Sequence, residues 1–397
     1  MLNHSKNFVR YLDNYDKKNQ KKYNNLLVSN IRKEYDDIWS KQFNTTPILK
    51  NFEYYNYYGS NSITNNLSSP MNSPKNANRE KVIIEDKIDT ISDILNIIEK
   101  YNYTDTCEYN IDFRAIISIK EELTQLNNMI GMKDLKQNVL EQLLYFLQNL
   151  HLSKNGGDYK HTVLYGPPGT GKTQIAKIIG KMYSKIGVLQ KNIFIKATRQ
   201  DLIAGYLGQT AIKTAKIIED AKGGVLFIDE AYSLAANEKE DSFSKECLDT
   251  LCEALSNYKD DLMVIIAGYE EDLDNTFFKV NKGLQSRFIW RFTMKPYTSE
   301  ELYDIFLSIV NLSDWSLDLQ FEDLKKWFDD NYKDFVNYGR DMEQLFTYIK
   351  ISHSKRIYGL SKDLRKKITI IDIINGYEMF ISHRKSKDEK RVYDFYT

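Results

Sequence analysis

Cysteine is nearly absent: 397 residues carry Cys107, Cys247 and Cys252 and no more. The number is odd and the spacing fits no metal motif. That excludes a disulfide framework and a structural zinc module, and points to reduced thiols in an intracellular protein. The five histidines are scattered and form no ligand pair. Proline and glycine are scarce, with 6 and 18 residues, while Asn, Lys, Ile and Tyr are abundant. An AT-rich genome produces the same bias, so it excludes nothing about function. Charge of one sign is lacking too. The 55 basic and 55 acidic residues cancel, so nothing overall suggests a polyanion partner and nucleic acid is not expected. No apolar run approaches the ~20 residues of a membrane helix, and no membrane association is expected. The opening MLNHSKNFVRYLDNYDKK is not built as a signal peptide.

What is present is enough for two or three domains, with 42% hydrophobic residues to build their cores. The most informative stretch is HTVLYGPPGTGKT, from His161 to Thr173. Gly166, Gly171, Lys172 and Thr173 complete the pattern G-x-x-x-x-G-K-[ST] of a phosphate-binding P-loop. Its full span is Gly166, Pro167, Pro168, Gly169, Thr170, Gly171, Lys172 and Thr173. The glycines let the backbone curl so that successive N–H groups face the phosphates. Lys172 places a point charge on the β- and γ-phosphates, and the Thr173 hydroxyl is suited to Mg²⁺. A short buried strand precedes the loop and a helix follows it, with its positive dipole end toward the anion. A plain Gly/Pro-rich turn is the bland alternative, and the flanking strand and helix argue against it.

The second signal is GGVLFIDEAYSL, from Gly223 to Leu234. Its apolar run reads as a central parallel strand buried on both faces. Ligands bind at the carboxyl ends of such strands. There Asp229 would hold Mg²⁺ through water, and Glu230 would polarise a water in line with the γ-phosphate. A strand-end acidic pair alone is usually a solvated turn; after a P-loop it is a hydrolytic site. A guanine-reading N-K-x-D is absent, and a Glu beside the metal Asp favours deliberate hydrolysis, hence an ATPase using ATP and Mg²⁺.

The organisation follows the same signals. Residues 1–58 have helical spacing in VSNIRKEYDDIWSKQF, and Gly59 to Glu80 is polar low complexity, expected as a disordered linker. Residues 81–122 are expected as a helical connector. From 123 to 295 strands and helices alternate as in a parallel α/β sheet, with strands expected at 161–165, 192–196, 224–229, 262–267 and 289–293. Residues 296–397 read as a small helical domain with a C-terminal tail. Thr298 and Glu301 form a capping box at its start, and helices are expected near 299–312, 320–334, 340–356 and 370–383.

With both motifs in place the chain resembles the AAA+ ATPases, and within them the CbxX/CfxQ group, which includes red-type rubisco activases, a sporulation ATPase and the cfxQ-like proteins of giant DNA viruses. The resemblance runs from about Leu123 to Phe346 and leaves residues 1–110 outside. It is carried by LNNMIGMKDLK, GPPGTGKT, TRQDLIAGYLGQTAIKT, GGVLFIDEAYSL, MVIIAGYEEDLDNTF, GLQSRF and YGRDMEQL. It implies an αβα P-loop domain at 123–295 and a helical lid in 296–397. It also implies a ring of copies of this chain, expected as a hexamer, acting on an unknown protein client in the cytoplasm, or in the host cytoplasm or virion if the source is viral.

By the same resemblance Ile130 and Gly131 lie along adenine, and Tyr206 projects from the first pore loop into a central channel. Arg287 is the arginine finger that reaches a neighbouring subunit's γ-phosphate. Arg340 is the second sensor, which couples the lid to nucleotide. Where the family often has another basic residue three positions on, this chain has Glu343. Arg291 is a weaker finger candidate. The first sensor has no Asn here, and Tyr269 or Glu270 would have to serve. Bottom-up, Tyr206 beside Gly205 and Gly208 suits a flexible loop, although a tyrosine packed on its own subunit is the alternative. The competing function is a nucleic-acid motor or loader, for which KDLRKK and HRKSKDEKR are the only dense basic stretches. A nucleotide-binding scaffold without hydrolysis is the third reading, opposed by the intact Lys172, Asp229, Glu230 and Arg287.

Overall fold

The computed structural model describes residues 80–153, 157–206, 208–235, 242–318 and 321–394. The chain forms two units, 1–75 and 76–397, and everything described belongs to the second. The expected helical region over 1–58 and the linker as far as residue 79 lie outside the described residues. Glu80 opens a strand rather than closing a linker.

Five parallel strands form the central sheet. β1 (Glu80–Val82) and β2 (Cys107–Tyr109) precede it. The sheet strands are β3 (Thr162–Tyr165), β4 (Phe194–Ala197), β5 (Val225–Ile228), β6 (Met263–Gly268) and β7 (Trp290–Thr293). They lie in the order β4-β5-β6-β3-β7. β3 is central, with Thr162 in register with Ile265 of β6 on one side and Trp290 of β7 on the other. The strands match those expected, with the first, third and fifth shortened at their ends and the second and fourth displaced toward their C-termini.

The pleat sends alternate residues of these strands to two cores. Leu164, Phe227, Ile265 and Phe292 pack with Val139 and Leu143 of the helix Lys133–Leu147 and with Ile175 and Ile179 of the helix Lys172–Lys185. Val163, Leu226, Ile228 and Ile266 face the other way, toward Leu248, Leu251 and Leu255 of the helix Ser242–Asn257. Helices on both sides leave β3, β5 and β6 no solvent-facing residue, which is why they read as apolar runs rather than alternating ones.

His161 anchors the start of β3. Its Nδ1 accepts the Val264 N–H at 3.1 Å, so Nε2 carries the proton and donates to the Leu255 carbonyl at 3.1 Å. Full burial pushes its pKa down to about 3, and the ring is neutral. The polar atoms of this buried ring therefore tie β3 both to β6 and to the helix behind it.

After β7 the chain builds a separate helical core around Phe306, Phe328, Phe335, Met342, Phe346 and Ile349. Its helices are Ser299–Leu312, Phe321–Asn331, Gly339–Ile357 and Ile370–Asp394. Thr298 caps the first, and Glu301 returns the bond to the Thr298 N–H at 2.8 Å, completing the expected box. Two expectations of purely helical segments are corrected. β1 and β2 pair in parallel inside 81–122, and β8 (Ser316–Leu317) pairs in parallel with β9 (Lys367–Ile368) inside the helical domain. Strands of two or three residues are too short to show an alternation in sequence.

Candidate nucleotide site

The P-loop leaves β3 at Gly166, whose N–H bonds the Gly268 carbonyl at the end of β6 at 3.1 Å. Gly171 sits at φ +91 as the N-cap of Lys172–Lys185, so the helix begins on the loop's last residue. Lys172 is partly buried and turns its ammonium onto the loop's own carbonyls, Gly166 and Pro167, each at 2.8 Å. Burial lowers its pKa; the nearby Asp229 and Glu230 raise it, and Arg340 lowers it. Lys172 after β3 and the Asp229–Glu230 pair after β5 lie at the carboxyl end of the same parallel sheet, and Arg340 follows Gly339, whose N–H bonds the P-loop. A cation folded back on peptide oxygens at a helix N-terminus is what a polyphosphate would engage. The loop therefore fits a nucleoside triphosphate.

The metal candidates fit as well. Thr173 and Asp229 offer only oxygen, which suits Mg²⁺. Asp229 is half-buried, and its Oδ2 accepts from Lys196 of β4 at 2.8 Å. Glu230 adopts φ +51, a left-handed conformation uncommon for a residue with a side chain, and is exposed at the start of the turn Ala231–Leu234. The backbone thus reverses immediately after the strand and holds the second carboxylate outside the core. Between β3 and β5 lies β6, so Tyr269 and Glu270 emerge between the P-loop and the acidic pair. The Tyr269 ring is 6.3 Å from that of Tyr232.

Ile130 and Gly131 lie between the loop and the helical domain. The Met129 and Met132 methyl groups approach Gly171, at 3.3 and 3.6 Å from where its Cβ would be, and a Cβ on Gly131 would meet Glu301 Oε1 at 2.3 Å. Lys136 holds this segment by donating to the Asn127 and Met129 carbonyls at 2.9 and 2.5 Å.

The helical domain touches the P-loop main chain directly. Gly339 N–H bonds the Gly169 carbonyl at 3.2 Å, and Tyr297 Oη donates to the Thr170 carbonyl at 3.2 Å. A Cβ on Gly169, which sits at φ +76, would lie 1.9 Å from the Asn337 carbonyl oxygen. Nothing in the sequence marks Asn337 or Tyr297 as neighbours of the loop. The sole hint is that both flank segments already of interest, the Thr298 capping box and Arg340.

Two residues stand apart. Arg287 is half-buried, donates to Ser256 Oγ at 2.6 Å and the Gly283 carbonyl at 2.7 Å, and lies near His161. That is the opposite end of β3 from the P-loop. Arg291 instead donates to Tyr165 Oη at 3.1 Å, stacks over Phe278 at 4.8 Å and lies 3.9 Å from Asp274. Tyr206 is 75% exposed. The base of its loop is pinned by Lys213, which donates to the Ile203 carbonyl at 3.0 Å, and by Thr210, whose hydroxyl accepts the Ala204 N–H at 3.2 Å.

Residues 162–290 match the ATPase family associated with various cellular activities (AAA). The putative cfxQ-like protein R730 of Acanthamoeba polyphaga mimivirus is 38% identical over 278 residues, 70% of this chain and 68% of that protein. Stage V sporulation protein K of Bacillus subtilis is 36% identical over 208 residues, 51% of this chain and 64% of its own length. The ESX-1 secretion system protein EccA1 of Mycolicibacterium smegmatis is 45% identical over 161 residues. There the match covers 40% of this chain and 28% of EccA1.

Gly169→Ala tests the contact between loop and helical domain. The methyl group meets a carbonyl oxygen that cannot swing away, and the left-handed φ disfavours alanine. Because the clash displaces the main chain of the P-loop itself, which holds the phosphates of either nucleotide, a fluorescent ADP titration is expected to lose at least about tenfold in affinity, the equivalent of ~1.4 kcal/mol. Far-UV circular dichroism should be unchanged. Wild-type affinity in the variant would show that the two bodies do not hold this contact in solution.

Proposed function

The chain belongs to the cfxQ-like group of the AAA ATPases, and from that premise we propose that it is a Mg²⁺-dependent ATPase that works as a ring and remodels a protein client. The observation that carries the catalytic part is that Lys172 and the Asp229–Glu230 pair follow strands of one parallel sheet at its carboxyl end, while Arg340 follows Gly339, whose N–H bonds the P-loop. Lys172 leaves the Gly166 and Pro167 carbonyls and neutralises the β- and γ-phosphates, while the P-loop N–H groups hold the phosphate oxygens. Thr173 and Asp229 would hold Mg²⁺, which when bound supplies charge across those phosphates. Glu230 takes the proton of the attacking water. Arg340 reaches the γ-phosphate from the helical domain. Met129, Ile130, Gly131 and Met132 line the side on which the base would rest.

The ring and the client rest on the two residues outside that cluster. Arg287 faces away from its own P-loop, as an arginine serving a neighbour's site must. Tyr206 offers an aromatic ring to solvent from a glycine-flanked loop with a pinned base, which suits a grip on an extended polypeptide. EccA1 is named as an ESX-1 secretion system protein. An intracellular place of action fits these roles, and no helix among the described residues is long and apolar enough to cross a membrane.

Glu230→Gln keeps the shape of the site and removes the base. ATP binding is expected to persist while turnover falls by about 10²–10⁴-fold, read by single-turnover hydrolysis. Wild-type turnover would remove Glu230 from the mechanism.

Arg287→Ala is expected to cut turnover about 10³-fold with subunit ATP affinity unchanged. Mixed with Lys172→Ala subunits it should recover activity, because some interfaces then pair an intact arginine with an intact P-loop. No recovery in a verified mixed assembly would place the arginine's action within its own subunit or nowhere.

Tyr206→Ala is expected to keep basal ATPase activity and to lose stimulation by an unfolded protein substrate. Stimulation of the wild type by single-stranded DNA but not by unfolded protein would transfer the assignment to a nucleic-acid motor.

A further inference from the structure

The turn that presses on the P-loop is strained. Tyr338 takes φ 48° and ψ −117°, a combination that residues with a Cβ rarely adopt. Such a conformation persists only where its surroundings over-determine it. Here one carboxylate does so. Asp341, almost fully buried, accepts the Asn337 backbone N–H on Oδ2 at 2.8 Å and the Asn337 side-chain amide on Oδ1 at 3.1 Å. Both bonds run outside the helix that Asp341 belongs to, back onto the turn.

The charge of Asp341 is met from the far end of the chain. Arg384, on the helix Ile370–Asp394, places Nη1 3.4 Å from Asp341 Oδ2 and donates to the Asp334 carbonyl at 2.5 Å. Arg384 thus bridges both flanks of the turn. A carboxylate this buried needs its partners, because unpaired charge in a core is strongly disfavoured. What the turn carries is functional. Gly339 N–H bonds the P-loop at Gly169, and the next residue is Arg340.

We infer that Asp341 is a positioning residue for the nucleotide site and Arg384 its counter-ion: together they fix the Asn337–Tyr338 turn, aim Arg340 at the terminal phosphate and tie the loaded P-loop to the last helix of the chain. The inference rests on the ATPase reading above. It differs from a purely structural role in one respect. Arg340 acts on the γ-phosphate, so loosening the turn penalises a triphosphate more than a diphosphate.

The test uses the full-length chain and fluorescent ADP and ATPγS. Arg384→Met is expected to weaken ATPγS about tenfold, within the usual range for coupled sites, and ADP less than twofold. Arg384→Lys should restore most of the ATPγS affinity. If Arg384→Met fails to fold, the double variant Asp341→Asn/Arg384→Met removes both charges and should show the same selective loss. Equal weakening of both nucleotides, or unchanged affinity for both, overturns the inference and leaves the pair as a packing element. A wild-type chain that binds neither nucleotide refutes the ATPase reading instead, and is seen before any variant is made.

Discussion

A contact between two backbones organises this molecule. Gly169 of the P-loop and Asn337–Gly339 of the helical domain approach so closely that no side chain fits between them. Main chain against main chain has no rotamer to absorb a shift, and packed interiors transmit small displacements rather than damping them. The nucleotide site is consequently shared between two bodies with separate cores, the sheet domain around β3 and the helical domain around Phe306 and Phe346. A change in the loop's shape is felt at once by the segment that carries Arg340.

The charges around that contact are arranged as a set of provisional partnerships. Lys172 rests on peptide carbonyls, and Asp229 rests on the ammonium of Lys196. Neither pairing is deep. Lys196 is nearly half exposed, and exposed pairs are worth little. Each can be exchanged for a stronger partner without breaking the fold. The interactions that do hold the site are elsewhere and buried: His161 between β6 and the Leu255 carbonyl, Asp341 on its turn, and the two apolar faces of the sheet. Rigid support below and exchangeable charge above is the division that a site for a repeatedly bound and released anion requires.

The separation of Arg287 from the P-loop of its own chain follows from strand direction. All five sheet strands are parallel, so every ligand-facing loop lies at one end, and a residue that precedes β7 lies at the other. Arg287 there is held by Ser256 and the Gly283 carbonyl of its own chain. Tyr206 likewise stands clear of the core, with its ring exposed.

Much of this was legible in sequence. The P-loop and the acidic strand end are local patterns whose chemistry depends on neighbouring residues, so spacing along the chain is spacing in space. The buried strands showed as apolar runs because both faces are covered, and Thr298 and Glu301 announced a helix start because a capping box spans three residues. What only the tertiary structure decided are the partners brought from afar: Asn337, Gly339 and Tyr297 on the P-loop, Met129 and Met132 beside Gly171, Lys196 on Asp229, and Arg384 on Asp341. The pairings of β1 with β2 and of β8 with β9 belong to the same class. Each joins residues with no periodic relation in the sequence, and each is set by the packing of elements that lie far apart along the chain, which no local pattern encodes.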